Sequence, residues 1–223
     1  GGASGFGLEI ARWMLSRGAR HLVLLSRSGP KLDADREAVE TMMEQGARIL
    51  LAQTDVTDAE AVRRLLERIK SELPPLAGVI HGAAVMDDAL ITAMTMTRFE
   101  RVFSPKAQGA WNLHEATRAA GAELDFFLML SSISSVLGFY GQVNYVAANF
   151  FQDALAQYRR QQGLPSTAVN LGVLGQYAGL SRTVNETQDV IGLLESQGML
   201  VMPLSDILAK VEAALVQQPI QRM

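Results

Sequence analysis

Apolar runs of strand length alternate with amphipathic helical segments along nearly the whole chain, and this alternation limits the folds available to it. Runs of this kind suit parallel strands that are covered on both faces. They are "HLVLLS" (21–26), "RILLAQTDV" (48–56), "LAGVIHGAA" (76–84), "LDFFLMLSS" (124–132) and "STAVNLGVL" (166–174). We therefore predict an α/β fold with an open parallel sheet.

Helices are predicted between these strands and after the last of them, with short connections. They cover residues 8–18, 32–47, 59–73, 97–120, 142–163 and 204–217, with Pro105 interrupting the fourth and Asp58 capping the third. Right-handed crossovers place helices on both faces, so the sheet is doubly wound and Rossmann-like. We expect residues 1–223 to form one such domain, with ligands bound beyond the carboxyl ends of the strands.

Composition excludes several classes of function. The 223 residues include no cysteine, which removes disulfides, thiolate nucleophiles and cysteine-based metal sites and fits a cytoplasmic location. The net charge of −3 gives no reason to expect a nucleic-acid partner. No apolar run approaches the ~18 residues of a membrane span. We predict no metal site and no membrane span.

The chain opens on "GGASGFG", with glycines at positions 1, 2, 5 and 7. Such a loop allows a tight turn and a close approach of backbone N–H groups to a pyrophosphate at a helix N-terminus. The spacing is not the usual G-x-G-x-x-G, and an ordinary turn is the alternative. Because a glycine-rich turn of this kind normally follows a strand, we expect a first strand before residue 1 in a longer polypeptide.

The strand at 21–26 leads into the next helix through "LLSRSG". This junction indicates which nicotinamide cofactor the glycine loop would serve. NAD sites place an acidic residue here to bind the ribose 2′-hydroxyl. Ser26 and Arg27 instead can donate hydrogen bonds and suit the 2′-phosphate of NADPH. An ordinary solvated loop residue is the alternative for Arg27. After the next strand, Asp55 could accept from an adenine amino group or simply close a turn.

The stretch "SSISSVLGFYGQVNYVAAN" (131–149) contains groups that could protonate a carbonyl oxygen. A tyrosine such as Tyr145 can act as the acid, but its ordinary pKa of ~10 needs to be lowered by a nearby ammonium. A serine hydroxyl can hold the oxygen beside it. No lysine or arginine lies within this stretch, so any cation must come from elsewhere.

At this point the chain resembles the short-chain dehydrogenases/reductases, and more narrowly the ketoreductase domain of modular polyketide synthases and animal-type fatty acid synthases. The resemblance covers the whole chain. It is carried, in the family's order, by "GGASGFG", "LLSRSGP", "DVTD", "GVIHGAAVMDDALI", "FSPKAQGAWNLHE", "LSSISSVLGFYGQVNYVAANFFQDALAQYRRQQGLP" and "AVNLGVLG".

The resemblance implies four catalytic residues. Tyr145 would be the acid, and the family spacing of thirteen residues selects Ser132 rather than Ser131 to hold the carbonyl oxygen. Many relatives carry a lysine four residues after the tyrosine; here that position is Asn149. Synthase ketoreductases supply the lysine from an earlier helix, which matches Lys106 in "FSPKAQ". Lys106 would lower the tyrosine pKa and contact the cofactor ribose, and Asn149 would help to hold that lysine and a proton-relay water.

The resemblance also implies the residues that bind NADPH. They are Gly1, Gly2, Ala3, Ser4, Gly5, Phe6, Gly7, Ser26, Arg27, Asp55, Val56, Ala83, Ala84, Lys106, Tyr145 and Gly172. It places a mobile lid over the substrate at residues 175–200, where a surface insertion is the alternative.

Sequence markers of the family's stereochemical types fall at two places. One type carries Leu-Asp-Asp after the fourth strand, which is the strand at 76–84 when the strand expected before residue 1 is counted. This chain has Met86-Asp87-Asp88 there. The opposite type carries a tryptophan eight residues before the tyrosine, where this chain has Leu137. The resemblance therefore implies a D-configured 3-hydroxy product. The two acids could also be an ordinary pair at a helix N-terminus.

The function implied is NADPH-dependent reduction of a β-ketoacyl thioester inside a larger synthase. The implied partners are an acyl carrier protein, which delivers the chain on its phosphopantetheine arm, and the other domains of that synthase. Two alternatives stay open. The chain could be a free-standing reductase of small ketones, or a scaffold that binds NADP without catalysis.

Overall fold

The computed structural model describes residues 1–174, 192, 195, 196, 198, 200–217, 221 and 222. The predicted helices and strands occur in the predicted order, with several short additional elements. They are α1 (Gly5–Ser16), β1 (His21–Ser26), α2 (Asp33–Glu44), β2 (Arg48–Gln53), α3 (Ala59–Glu72), β3 (Gly78–His81), a 3₁₀ turn (Ile91–Ala93), α4 (Met96–Ala119), β4 (Phe126–Ser132), α5 (Ser134–Leu137), α6 (Val143–Gln161), β5 (Thr167–Leu171), β6 (Val173–Leu174), β7 (Val201–Met202), α7 (Leu204–Gln217) and β8 (Gln221–Arg222). The lid predicted at 175–200 falls almost wholly outside the described residues.

The chain divides into two compact units. The first consists of Gly1–Ala77 and Gln108–Leu124. Its β1 and β2 pair in parallel, from His21 opposite Arg48 to Ser26 opposite Gln53. Apolar side chains, most of them from α1, β1 and α2, form one buried cluster in it, which consists of Ala3, Leu8, Ala11, Leu15, Leu22, Leu24, Ala38, Val39, Met42 and Ala47.

The second unit consists of Gly78–Ala107 and Asp125–Met223. It holds a four-stranded sheet in the order β3-β4-β5-β8, and every pairing in it is parallel. All five residues of β5 are buried, as expected of a parallel strand covered on both faces. Parallel pairing throughout the described strands confirms the predicted α/β class, while the assignment of residues 1–223 to a single domain stays a prediction.

Several helices and strands begin or end a few residues away from the expected positions, and three elements differ in other ways as well. β2 ends at Gln53 because residues 54–57 turn around the Asp55 side chain. β5 and β6 are separate strands with Gly172 between them. The helix α4 runs through Pro105 without a break. A proline inside a helix lowers the stability of the helix by roughly 3 kcal/mol. Burial of apolar residues on both sides of Pro105 outweighs that cost here. These residues are Val102, Ala107 and Ala110.

Candidate active site

Tyr145 lies in the first turn of α6 and is half-buried. The Nζ atom of Lys106 lies 5.5 Å from the centre of its ring. Lys106 lies on α4, far from Tyr145 in the sequence. The packing of α4 against α6 brings its amine to the tyrosine ring. This contact is the central feature of the site.

Lys106 is only 2 % exposed and its amine is held by two acceptors. Nζ donates to the carbonyl of Leu130 at 2.7 Å and to Oε1 of Gln152 at 3.3 Å. Burial lowers the pKa of Lys106 from 10.5 to about 7, and the negative charge of Asp153 acts in the opposite direction. The amine can therefore change its charge close to neutral pH.

His81 supports the same lysine from the end of β3. Burial and the charge of Lys106 lower the pKa of His81 to about 3, so the imidazole is neutral. Its Nε2 lies 3.0 Å from the backbone carbonyl of Lys106 and must donate to it, because a carbonyl can only accept. This histidine has a structural role.

Ser132 ends β4, and its hydroxyl is oriented by Ser134. The Ser132 Oγ atom accepts from the Ser134 backbone N–H at 3.2 Å and from the Ser134 hydroxyl at 3.0 Å. A hydroxyl has two acceptor positions and one hydrogen. Since both acceptor positions are taken, the Ser132 hydrogen is left to donate to another group, which is the Tyr145 phenol in this structure and could be a substrate oxygen.

The pKa of Tyr145 is raised rather than lowered. Burial is the largest cause, and the charge of Asp88 adds to it, while interactions with the side chains of Asn149 and Ser132 act in the lowering direction. Lys106, from which the sequence predicted a lowering, is not among these causes. The phenol therefore holds its proton firmly at neutral pH, as an acid must before it donates.

Asn149 is buried one turn further along α6. It was predicted to hold Lys106, but it makes no hydrogen bond to the lysine amine among the described contacts. Its Nδ2 donates to the Tyr145 carbonyl at 2.8 Å, and its Oδ1 has no hydrogen-bond partner among the described residues. The residue that binds the lysine is Gln152. Tyr145, Asn149 and Gln152 share one helix face at spacings of four and three, a periodicity that could have indicated Gln152 from the sequence.

The glycine loop has the backbone geometry that close approach to an anion needs. Gly5 has φ +51°, and a Cβ on Gly7 would lie 1.9 Å from the Gly1 carbonyl oxygen. A Cβ on Gly2 would be 3.3 Å from Leu24. Ser4 precedes α1 without making a side-chain cap, so the first N–H groups of that helix remain available to an anion. The other two predicted loop residues, Ala3 and Phe6, are buried.

Ser26 and Arg27 follow β1. Ser26 Oγ is buried and has no hydrogen-bond partner among the described residues, whereas Arg27 is exposed. A buried hydroxyl without a partner is costly and is usually satisfied by a bound group. This orphaned hydroxyl and the glycine loop fit a nicotinamide dinucleotide.

The remaining predicted cofactor residues have varied surroundings. Asp55 Oδ1 accepts from the backbone N–H and hydroxyl of Thr57, at 2.9 and 2.7 Å, and the former is the largest cause of its lowered pKa. The carbonyl of the buried Val56 accepts from Asn112, a contact that the sequence did not indicate. Ala83 and Ala84 are half-buried after β3. Gly172 has Met202 Sδ 3.6 Å from the position of a Cβ, which is ordinary contact.

The Met86-Asp87-Asp88 stretch lies in the loop after β3 and not in the first turn of a helix, so the helix-terminal alternative is wrong. Asp87 Oδ1 accepts from Arg98 at 2.8 and 2.6 Å, and Oδ2 accepts from Arg101 at 3.4 Å. Asp88 Oδ2 accepts from Gln142 at 3.0 Å. The two acids thus anchor the loop to α4 and to the start of α6.

Met86 and Leu137, the other two stereochemical markers, differ in exposure. Met86 is half-buried in the same loop as the two acids. Leu137 ends the short helix α5 and is 70 % exposed. Gly138, with φ 74°, ends that helix.

A phenol that keeps its proton, a hydroxyl oriented to donate and a buried amine can together polarise and protonate a carbonyl oxygen. The KR domain family matches residues 1–176 of the chain. The chain belongs to the KR domain family. KR domains are the ketoreductase domains of polyketide synthases and are oxidoreductases of the short-chain dehydrogenase/reductase type that bind a nicotinamide cofactor.

Curated relatives of this KR domain include polyketide synthases. It is 38 % identical over 218 residues to the highly reducing polyketide synthase lcsB of Purpureocillium lilacinum, covering 96 % of this chain and 8 % of that protein. It is 39 % identical over 196 residues to the lovastatin diketide synthase lovF of Aspergillus terreus, covering 86 % and 8 %. The chain therefore spans less than a tenth of the length of these relatives.

Solved structures confirm the Rossmann-like fold. The KR domain matches a ketoreductase domain from the bacillaene assembly line with a TM-score of 0.88 at 32 % identity, over 99 % of this chain and 53 % of that one. It matches an A1-type ketoreductase with a TM-score of 0.86 at 33 % identity, over 99 % and 45 %.

The described part of the KR domain has neither a membrane-spanning helix nor a cluster of metal-ligating side chains. Within it, no helix is both long and apolar enough to cross a membrane. The same residues contain no cluster of three or more histidine, aspartate or glutamate side chains that could hold a metal ion.

Proposed function

We propose that this KR domain uses NADPH to reduce a β-ketoacyl thioester, carried on an acyl carrier protein, to the 3-hydroxyacyl thioester. The observation that carries the proposal is the approach of Lys106 Nζ to within 5.5 Å of the Tyr145 ring, beside Ser132. The acyl carrier protein and the other domains of the same synthase are the proposed partners, in keeping with the multidomain relatives.

The proposed roles follow from the hydrogen-bond geometry. Ser132 donates its one available hydrogen to the ketone oxygen and holds it beside the phenol. Tyr145 donates its proton to that oxygen as negative charge develops on it. The cofactor, when bound, supplies the hydride that the carbonyl carbon accepts. Lys106, as an ammonium, favours the phenolate that Tyr145 leaves behind.

The residues that would hold NADPH are those implied by the family resemblance, and among them the glycine loop and Ser26 have surroundings that fit a dinucleotide. The glycine loop and the start of α1 would bind the pyrophosphate, and Ser26 and Arg27 the 2′-phosphate. Asp55 and Val56 would lie at the adenine, and Lys106 and Tyr145 at the ribose. Ala83, Ala84 and Gly172 would complete the site through backbone contacts.

We expect Arg27→Ala to raise the KM for NADPH about tenfold and to leave the KM for NADH unchanged. A charge-assisted hydrogen bond contributes about 1.5 kcal/mol, close to a tenfold change in affinity, and NADH has no 2′-phosphate to receive it. Initial rates with both cofactors measure the effect. Arg118→Ala, an exposed arginine in the last turn of α4, is the matched control. An equal rise for both cofactors would contradict the assignment.

The reaction and its stereochemistry can be tested together. We expect oxidation of NADPH when the protein meets an N-acetylcysteamine β-ketoacyl thioester, with a D-configured 3-hydroxy product on chiral chromatography. Two markers support that configuration. The loop after β3 carries Met86-Asp87-Asp88, and position 137 holds leucine instead of the tryptophan of the opposite type. NADPH binding without oxidation would favour a non-catalytic scaffold. Turnover of small ketones but of no thioester would favour a free-standing reductase.

A further inference from the structure

Asn144 is a fully buried side chain that the proposed reaction does not use. It lies in the first turn of α6, directly before Tyr145. Its Nδ2 atom donates to the carbonyl of Asp87 at 2.9 Å and to the carbonyl of Arg98 at 3.3 Å. Its Oδ1 atom accepts from the backbone N–H of Tyr145 at 2.8 Å. One amide therefore joins the loop after β3, the helix α4 and the turn that carries the proposed acid.

These partners satisfy the whole Asn144 amide. Its NH2 group has two hydrogens, each directed to a different carbonyl, and its oxygen receives an N–H. The reverse orientation would set Oδ1 against two carbonyl oxygens and the NH2 group against an N–H donor, so the partners fix the orientation. Moving any one of them would leave a buried polar group without a hydrogen bond, which is costly. The amide therefore holds all three elements at fixed positions.

The backbone N–H of Tyr145 depends on this contact. The first N–H groups of a helix have no partner within the helix. Gln142, the N-cap residue of α6, makes no side-chain cap. The carbonyl of Gly141, four residues before the tyrosine, is bound to the N–H of Ala89. Among the described hydrogen bonds, the Tyr145 N–H is bound by Asn144 alone.

The loop that Asn144 holds carries Met86-Asp87-Asp88. Arg98 fastens this loop to α4 as well, because its guanidinium donates to the Asp87 carboxylate. The loop follows β3, and Ser132 ends the neighbouring parallel strand β4, so both lie at the carboxyl edge of one sheet. The loop is thus a wall of the candidate site, and Asn144 ties that wall to the backbone of the acid itself.

We propose that Asn144 is a positioning residue of the reductase site, which sets Tyr145 against the Met86-Asp87-Asp88 loop and thereby determines which face of the ketone is reduced. A single product configuration requires the substrate to meet the acid in one orientation. A wall held at a constant distance from the turn of the acid provides that restriction. The inference rests on the proposed function for its catalytic consequence, whereas the link between loop and helix can be measured without turnover.

The link is tested by hydrogen–deuterium exchange of the full-length protein, read by mass spectrometry. Asn144→Leu keeps a similar size but can neither donate nor accept a hydrogen bond. We expect it to speed exchange about fivefold at the Tyr145 amide and in residues 86–90, as loss of one hydrogen bond predicts. Thr117→Val is the matched control, because it removes a buried hydroxyl that binds two carbonyls within α4. It should leave exchange at those positions unchanged.

The catalytic part is tested by chiral chromatography of the 3-hydroxy thioester that each variant forms. We expect the minor enantiomer to increase about fivefold in Asn144→Leu, whichever enantiomer predominates in the unmodified protein. A mere loss of folded protein lowers the amounts of both enantiomers equally, so Thr117→Val should keep the original ratio even where it is less stable. Thermal unfolding checks that each variant is folded, and Asn144→Ala replaces Asn144→Leu if the latter does not fold.

The outcomes separate the inference from the proposed function. Unchanged exchange at Tyr145 and in residues 86–90 of a folded Asn144 variant overturns the link. Faster exchange with an unchanged enantiomer ratio overturns the positioning role, and so does an equal change of that ratio in Thr117→Val. If the unmodified protein reduces no thioester, the proposed function fails, and the exchange comparison upholds or overturns the link by itself.

Discussion

Replacement of Tyr145 by phenylalanine should reduce kcat for thioester reduction about 10³-fold. A positioned general acid contributes between about 10² and 10⁴ in rate. The substitution removes only the phenolic oxygen and keeps the ring beside Lys106, so the packing of α6 should survive. NADPH oxidation under saturating substrate measures the loss, and cofactor binding followed by fluorescence should stay close to that of the unmodified protein.

Tyr140→Phe is the matched control for this experiment. Tyr140 lies five residues earlier and is 85 % exposed, so loss of its hydroxyl should change neither rate nor stability. Near-normal turnover in Tyr145→Phe would remove Tyr145 from the role of acid. Equal losses in both variants would point to a general effect of tyrosine hydroxyls on the fold.

Replacement of Lys106 by methionine should reduce kcat about 10²-fold, the size of effect expected when a preorganised electrostatic contact is removed. Methionine has a similar length and no charge, so it fills the buried space. It leaves the Leu130 carbonyl and Gln152 Oε1 without the amine that donates to them. Steady-state kinetics measure the loss, and Lys70→Met, on the exposed face of α3, should have no effect.

The same variant should change how stability depends on pH. The pKa of Lys106 is about 7 in the folded protein and 10.5 as an ordinary lysine. Below the lower value the amine is protonated in both states, and the fold carries the full cost of burying the charge. Between the two values the unfolded chain binds more protons, so the free energy of unfolding rises with pH.

Lys106→Met has no such group, so the difference in stability between it and the unmodified protein should grow in favour of the unmodified protein as pH rises above about 7. Denaturant unfolding at a series of pH values measures this difference. Parallel curves for the two proteins would show that Lys106 keeps its ordinary pKa. Lys70→Met should give a parallel curve, because that side chain is exposed.

Local patterns of apolar residues in the sequence were sufficient to predict most of the secondary structure. Apolar runs and amphipathic periodicity identified the main helices and strands in order, because these patterns record which side of each element is buried. Boundaries were less accurate where a side chain or a single residue decides them. The Asp55 turn ends β2, and burial on both sides of Pro105 keeps α4 continuous, and neither effect is visible in local periodicity.

The candidate site was only partly predictable. The sequence indicated Tyr145, Ser132 and Lys106, and the structure brings them to one place in the second unit. The sequence-based prediction wrongly assigned the contact with the Lys106 amine to Asn149 and missed Gln152. The choice between these two residues on one helix face depends on where α4 lies. The roles of these residues, the preference for NADPH and the D-configuration stay predictions.

By itself, the sequence determined the α/β class, the glycine loop, the residue types available for acid chemistry and the family. These are properties of short segments and of their order. Only the tertiary structure decided that Lys106 is desolvated, that its amine donates to Leu130 and Gln152, and that it lies beside the Tyr145 ring. The physical reason is that the surroundings of the Lys106 amine come from residues 24 and 46 positions away in the chain, which meet it only when the helices pack on the sheet.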